Sequence, residues 1–273
     1  MNELSGKAKL AVVLGSGLGT LEQLVKLEVA YSYRDVPGLS SPSVEGHPGR
    51  MSLARVGGSP LLLFSGRLHV YEGLDFWAVG KLVSTAVELG CQRILLTHTA
   101  GSLHRSLPVG EWMLPTDIVY FPMDACWRIS SAESPVRRDV TASVAAPSSL
   151  ISGSFRGEVE RAAIGAGVPL QNGNLFWTTG PAYETPAEAR AAAGLGADAV
   201  TMSSLPELVI ARDLGIESAV LSLITNFAPN VSSERVHHDH VVKRGEACAT
   251  RLKEILEILL NPTPLCEGRY AGL

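Results

Sequence analysis

Short apolar runs that end on glycine or a polar residue recur along the chain. Residues 9–14 (KLAVVL) stop at Gly15, and residues 61–64 (LLLF) stop at Ser65. Residues 94–97 (ILLT), 109–121, 175–179, 198–202 and 218–225 behave alike. Continuous rather than alternating apolarity predicts strands covered on both faces, as in parallel or mixed sheets. Helical patterns lie between them. Residues 76–89 carry apolar positions at helical spacing. Thr185-Pro186-Ala187-Glu188 is a capping box with proline at the first helical position, and the helix it opens should stop near Gly194 or Gly196. Ser204-Leu205-Pro206-Glu207 repeats that signature and predicts a helix through Asp213. A last helix is predicted from about Ser233 to Leu260, stopped before Pro262. Residues 124–154 are rich in Ser, Ala and Pro with little periodicity, which predicts a long loop, either a functional lid or a disordered segment.

No linker, repeat or second composition interrupts this pattern. The fold class expected is α/β, a single domain over residues 1–273 around a central sheet. Only 18% of residues are charged and 46% are hydrophobic, which fits a well-buried core and excludes disorder as the dominant state. The net charge is −4 and no basic run exceeds two residues, so a nucleic-acid partner is not expected. No apolar run approaches the ~20 residues of a membrane span, so no membrane partner is expected. The amino-terminal residues lead into a Gly-rich loop with no small-residue cleavage site, so no signal peptide is expected. Cys91, Cys126, Cys248 and Cys266 match no zinc spacing and are expected to be free thiols in a reducing cytoplasm.

Five segments concentrate the polar chemistry. Gly15-Ser16-Gly17-Leu18-Gly19 follows the first strand and offers amides and a hydroxyl to an anion. Its G-x-G-x-G spacing is not the G-x-G-x-x-G of a dinucleotide fingerprint. Residues 65–73 (SGRLHVYEG) follow the LLLF strand; Arg67, His69 and Tyr71 alternate and should point one way if the chain is extended. Glu184 precedes the first capped helix, and Ser203 precedes the second. Asn226 ends the run at 218–225 with an amide that can both donate to and accept from a heterocycle. All five segments sit at predicted carboxyl ends of strands, where α/β sheets bind ligands. They suggest one pocket with an anion end (Ser16, Arg67, His69, Ser203) and a hydrogen-bonding end (Glu184, Asn226). His237-His238-Asp239-His240 lacks an H-E-x-x-H pattern or an evident further ligand, and reads as a helix face rather than a metal site.

Taken together, VVLGSGLG, GHPGR, GRLHVYEG, GPAYETPAEAR, GADAVTMSSLPELVIAR and SLITN resemble the trimeric family of purine nucleoside phosphorylases, from about Leu10 to about Leu260. The resemblance implies a mixed, barrel-like sheet flanked by helices and a homotrimer. It implies phosphorolysis of purine nucleosides to free base and (deoxy)ribose 1-phosphate, with inorganic phosphate as co-substrate and neither metal nor organic cofactor. By position it implies a phosphate site of Ser16, Arg67, His69, Ser203 and the amide of Thr99, with His47 at its entrance. Tyr71 and Met202 would flank the ribose, Glu184 and Asn226 would read the purine, and Tyr183 would pack near it. Asn226, Glu184 and His69 would carry the chemistry. The related methylthioadenosine phosphorylases carry an aspartate in place of Asn226 and lack the Glu184 carboxylate, so this pair implies 6-oxopurines such as those of inosine and guanosine.

Three places depart from the family pattern. His98 stands where the family has an asparagine beside phosphate and ribose. The family's histidine for the ribose 5′-hydroxyl falls near Ser233, with His237 one helical turn on as a substitute. That departure motivates a 5′-methylthioinosine phosphorylase as the alternative, and the altered THTAGS segment motivates a non-catalytic nucleoside-binding homologue. Residues 124–154 do not align well enough to locate an aromatic from a neighbouring subunit.

Overall fold

The computed structural model describes residues 3–44, 46–120, 149–234 and 238–262, and the side chains of 238–240 are not described. Nine strands form one sheet: β1 (Leu10–Leu14), β2 (Lys26–Ser32), β3 (Arg50–Val56), β4 (Ser59–Ser65), β5 (Arg93–Ser102), β6 (Trp112–Val119), β7 (Leu170–Trp177), β8 (Ala199–Thr201) and β9 (Glu217–Phe227). Six α-helices accompany them: α1 (Leu21–Leu24), α2 (Phe76–Glu88), α3 (Gly153–Gly165), α4 (Pro186–Gly194), α5 (Leu205–Asp213) and α6 (His238–Leu260).

The strand order is β2-β3-β4-β1-β5-β8-β7-β6-β9, and β9 pairs back onto β5. The ring β5-β8-β7-β6-β9 is therefore closed, with β2, β3, β4 and β1 as an extension from β5. The expected mixed, barrel-like sheet is present. β1 lies between parallel neighbours β4 and β5, and β5 runs parallel to β9 over its whole length.

The continuous apolar runs have a direct cause. Val13, Leu62, Phe64, Ile94 and Leu96 join a core covered by α2 and α5, through residues such as Leu82, Val83, Leu205 and Val209. Their neighbours Val12, Leu61, Leu63 and Leu95 join a second core covered by α3 and α6, through Phe155, Val159, Leu252 and Ile255. Alternate side chains feed opposite cores, so both must be apolar. α2 crosses α5 at Gly80, where any Cβ would strike Ile210.

Thr185 caps α4 as predicted. Its hydroxyl accepts from the Glu188 amide at 3.2 Å, and Glu188 accepts from the Thr185 amide at 2.7 Å. The second capping box does not form. Ser204 has φ 74° and makes no cap bond to α5. Residues 153 and 154, expected in the long loop, begin α3, a helix the periodicity reading passed over; residues 124–148 of that loop lie outside the described residues. β2 and β3 were also not predicted. β2 alternates exposed and half-buried positions, as an edge strand with one covered face does. The last helix begins at His238 rather than Ser233; Ser233 and Glu234 are irregular. β6 begins at Trp112 rather than residue 109, and β7 ends at Trp177, before Thr178 and Thr179. Cys91 and Cys248 are free thiols, and Cys126 and Cys266 lie outside the described residues. Among the described residues no helix is long and apolar enough to cross a membrane.

Candidate active site

Carboxyl ends of β1, β4, β5 and β9 meet the β8–α5 turn and the segment after β7 around one pocket. Ser16, His69, Tyr71, Thr99, Tyr183, Glu184, Met202, Ser203 and Asn226 line it, nine of the residues expected from the sequence. It is a small cleft of about 90 Å³ that is open to solvent on one side.

Ser16 is carried by a loop that lies directly on β5. A Cβ on Gly15 would sit 2.6 Å from His98 Cα and 2.8 Å from the Thr97 carbonyl oxygen, so only glycine fits. Ser16 Oγ is 3.3 Å from His47 Nε2, and the Arg67 amide donates to His47 Nδ1 at 3.3 Å. Nδ1 is thus an acceptor and neutral His47 carries its proton on Nε2. His47 donates to Ser16, leaving the Ser16 hydroxyl proton for the pocket.

His69 has the opposite arrangement. Its Nδ1 lies 3.2 Å from Glu72 Oε1, and its Nε2 lies 3.3 Å from Ser203 Oγ. Burial alone would raise the Glu72 carboxyl. Hydrogen bonds from the His69 ring, from the amide and hydroxyl of Ser43, and from the His69 amide outweigh it and bring the pKa down to about 2. An ionised Glu72 keeps the His69 proton on Nδ1 and turns Nε2 toward Ser203. The His69 ring stacks on Tyr71 at 4.7 Å and 14°. Burial, reinforced by Glu72 and Tyr183, pushes the Tyr71 phenol up to about 12, so it remains a neutral donor.

Arg67 does not line the pocket. Its side chain is 1% exposed; Nε donates to Glu207 Oε1 at 3.0 Å and Nη1 donates to the Thr97 carbonyl at 2.8 Å. Nη2 lies 2.9 Å from the same Glu207 oxygen in ion-pair rather than hydrogen-bond geometry. The alternation argument fails because the chain is not extended there. β4 ends at Ser65, Gly66 takes φ 105°, and Val70–Glu72 forms a 3-10 turn. His69 and Tyr71 then face the pocket while Arg67 faces the core. His98 is also absent from the lining. It is 1% exposed, with Nδ1 2.7 Å from Ser204 Oγ and Nε2 2.7 Å from Ser222 Oγ. Burial, aided by Arg67 and His69, holds its pKa well below the usual histidine range, so it is neutral.

At the other end, Thr178 Oγ1 donates to Glu184 Oε1 at 3.0 Å. Burial raises the Glu184 carboxyl against the bonds from its own amide and Thr178. Asn226 Oδ1 accepts from Thr225 Oγ1 at 3.1 Å, and Nδ2 donates to the Phe227 carbonyl at 3.2 Å. Among the described residues these bonds orient the amide and occupy one of its two N–H groups. Gly101 of β5 backs it: a Cβ there would lie 2.8 Å from Asn226 Nδ2. Tyr183 is 46% exposed, so the pocket wall opens to solvent there. Ser233 is exposed and is not among the residues that line the pocket, and His237 lies outside the described residues. Among the described residues no group of three or more His, Cys, Asp or Glu could hold a metal ion.

Thr225, beside Asn226 at the end of that apolar run, also lines the pocket, as do Thr201 and Val241, which the sequence does not point to; nor does it point to Glu72, Thr178 and Glu207 as partners. Glu72, three residues from His69, was legible as a local partner; Val241 and Glu207 are brought in by tertiary packing.

A model of the phosphorylase superfamily matches residues 9–261. The purine nucleoside phosphorylase of Bos taurus is 30% identical, with 95% of this chain and 90% of the relative covered. Purine nucleoside phosphorylase 1 of Bacillus subtilis is 32% identical, with 87% and 86% covered. A crystal structure of the Schistosoma mansoni purine nucleoside phosphorylase with inosine superposes with TM-score 0.81 at 26% identity, covering 96% of this chain and 93% of that one. The adenosine complex of that enzyme gives 0.82 at 26%, covering 96% and 94%.

Proposed function

The chain belongs to the phosphorylase superfamily as a purine nucleoside phosphorylase, a pentosyltransferase, and we propose that its preferred substrates are 6-oxopurine nucleosides and deoxynucleosides. One observation carries the preference: a half-buried carboxylate, Glu184, and an oriented amide, Asn226, line the same pocket as Ser16 and the His69–Ser203 pair. Inosine bound to a relative supports a 6-oxopurine; adenosine bound to the same relative makes the Glu184–Asn226 pair the discriminating feature.

In this reading phosphate rests on the Ser16 hydroxyl, the Thr99 amide and the Ser203 hydroxyl, which turns from His69 to the anion; His69, its Nδ1–H held by Glu72, donates from Nε2 as the imidazolium that the dianion favours. Arg67 contributes positive potential from beneath rather than a direct fork, and its pairing with Glu207 limits that contribution. The C1′–N9 bond stretches toward an oxocarbenium-like sugar, flanked by Tyr71 and Met202. The phosphate dianion stabilises that cation and attacks C1′. Negative charge gathers on the departing purine toward N7 and O6, where the second Asn226 N–H donates; this bond strengthens in the transition state. Ionised Glu184 accepts from N1–H, and Tyr183 packs near the base. The reaction uses inorganic phosphate and requires no metal or organic cofactor. A homotrimer in the cytoplasm, serving purine salvage, completes the proposal; the family resemblance supports it.

Purine release from inosine, guanosine, adenosine and 5′-methylthioinosine, each with and without phosphate, tests the reading. Phosphate-dependent release from inosine or guanosine, exceeding that from adenosine, is expected. Equal or faster release from adenosine would overturn the 6-oxopurine preference. The second reading, a 5′-methylthio nucleoside, is favoured by Val241, which puts a branched apolar side chain on the pocket wall. Release confined to 5′-methylthioinosine would establish it.

A further inference from the structure

His98 is the largest chemical departure near the site, yet it is not among the residues that line the pocket. It lies on β5 directly opposite Ser222 of β9 in the parallel pairing. Its two ring nitrogens are both occupied, by Ser204 and Ser222 at 2.7 Å, and the two serines are fully buried. A neutral imidazole donates from one nitrogen and accepts at the other, so it satisfies one hydroxyl as donor and the other as acceptor.

Ser204 is where this matters. Among the described residues it is the only non-glycine with positive φ, at 74°. A left-handed serine is strained and persists only where its surroundings hold it. It stands at the start of α5, where a serine normally caps the helix, but here its hydroxyl is diverted to His98. The preceding residue is Ser203, whose hydroxyl meets His69 in the pocket and whose amide donates to Thr201 Oγ1 at 3.2 Å. A relaxation of Ser204 toward negative φ would rotate the peptide that carries Ser203.

We propose that His98 is a positioning residue for phosphate: by holding the Ser204 hydroxyl it keeps Ser204 left-handed and so aims Ser203 into the anion end of the pocket. Ser222 is the opposite anchor of the imidazole. The inference rests on the reading that Ser203 binds phosphate. The strain on Ser204 makes it separable from a merely structural role for His98, because glycine at 204 adopts the same backbone freely.

The test is steady-state kinetics on inosine with phosphate varied and then nucleoside varied, for wild type, H98A, H98N, S204G and H98A/S204G. In H98A the phosphate KM should rise roughly tenfold, the strain being released when its anchor is lost. The inosine KM should stay within about twofold, since uniform binding of the nucleoside is untouched. In H98A/S204G the phosphate KM should return to that of S204G. Asparagine reaches only one of the two serines, so H98N should show a smaller phosphate defect; this variant decides the matter if H98A does not fold. An unchanged phosphate KM in H98A or H98N, equal defects for both substrates, or a double variant no better than H98A would overturn the inference. A wild type with no phosphate requirement would instead overturn the phosphate reading itself, so the two failures are distinguishable.

Discussion

The two ends of the pocket are built differently. At the anion end every side chain is tied to a distant part of the chain. Ser16 meets His47 across 31 residues, His69 meets Ser203 across 134, and Arg67 meets Glu207 across 140. At the base end the bonds that orient the two base-reading side chains are short: Thr178 to Glu184 spans 6 residues and Thr225 to Asn226 spans 1, although Thr225 also reaches Ala100 across 125. The anion end is therefore fixed by the closure of the sheet against α5, and substitutions there act on the fold as well as on the ligand. The base end is set by its own loop and strand terminus, so substitutions there should alter chemistry with little effect on folding.

Several substitutions would break or sharpen that contrast. Arg67→Ala should have the largest effect on stability. It leaves Glu207 as an uncompensated buried charge, which by the usual cost of a broken buried pair is about 3–5 kcal/mol. Urea unfolding measures this, and a shift below about 1 kcal/mol, the scale of a surface pair, would mean the pair is not the anchor it resembles. Asn226→Ala should leave the urea midpoint near wild type while kcat on inosine falls roughly 10²–10³-fold, the scale of one lost transition-state donor. An unchanged kcat would remove Asn226 from the chemistry.

Two smaller effects depend on pH. Glu184 accepts from the base only when ionised, and burial raises its pKa. The inosine KM should therefore rise as pH falls through the raised Glu184 pKa, and Glu184→Gln should flatten that dependence. A pH-independent KM in wild type would argue against the contact. Glu72 has the opposite shift, from 4.5 down to about 2. Its contribution to stability is complete above about pH 4.5 and is lost as pH falls toward 2. Glu72→Gln should weaken the acid dependence of the urea midpoint in that window. An unaltered acid limb would show that Glu72 is not held as described.

The same contrast explains what the sequence revealed. Thr185-Pro186-Ala187-Glu188 is legible in the sequence because its partners are three residues apart. Ser204-Leu205-Pro206-Glu207 has the same spacing but forms no capping box, since His98 claims Ser204 from 106 residues away and Arg67 claims Glu207 from 140. Strands buried on both faces announced themselves by unbroken apolar runs. β2 did not, because KLEVAYS covers only one face, nor did α3, whose buried stripe includes Ala162 and Ala163 beside Phe155 and Val159. Glu184 and Asn226 were legible as polar residues at strand ends. That Arg67 turns inward was not, because the Gly66 turn breaks the alternation.

The most direct test of a two-ended pocket is calorimetric titration of phosphate and of hypoxanthine into wild type, Ser203→Ala and Glu184→Ala. The account predicts a crossed pattern: Ser203→Ala weakens phosphate and spares the base, whereas Glu184→Ala weakens the base and spares phosphate. Loss of both ligands in either variant, or of neither, would contradict it.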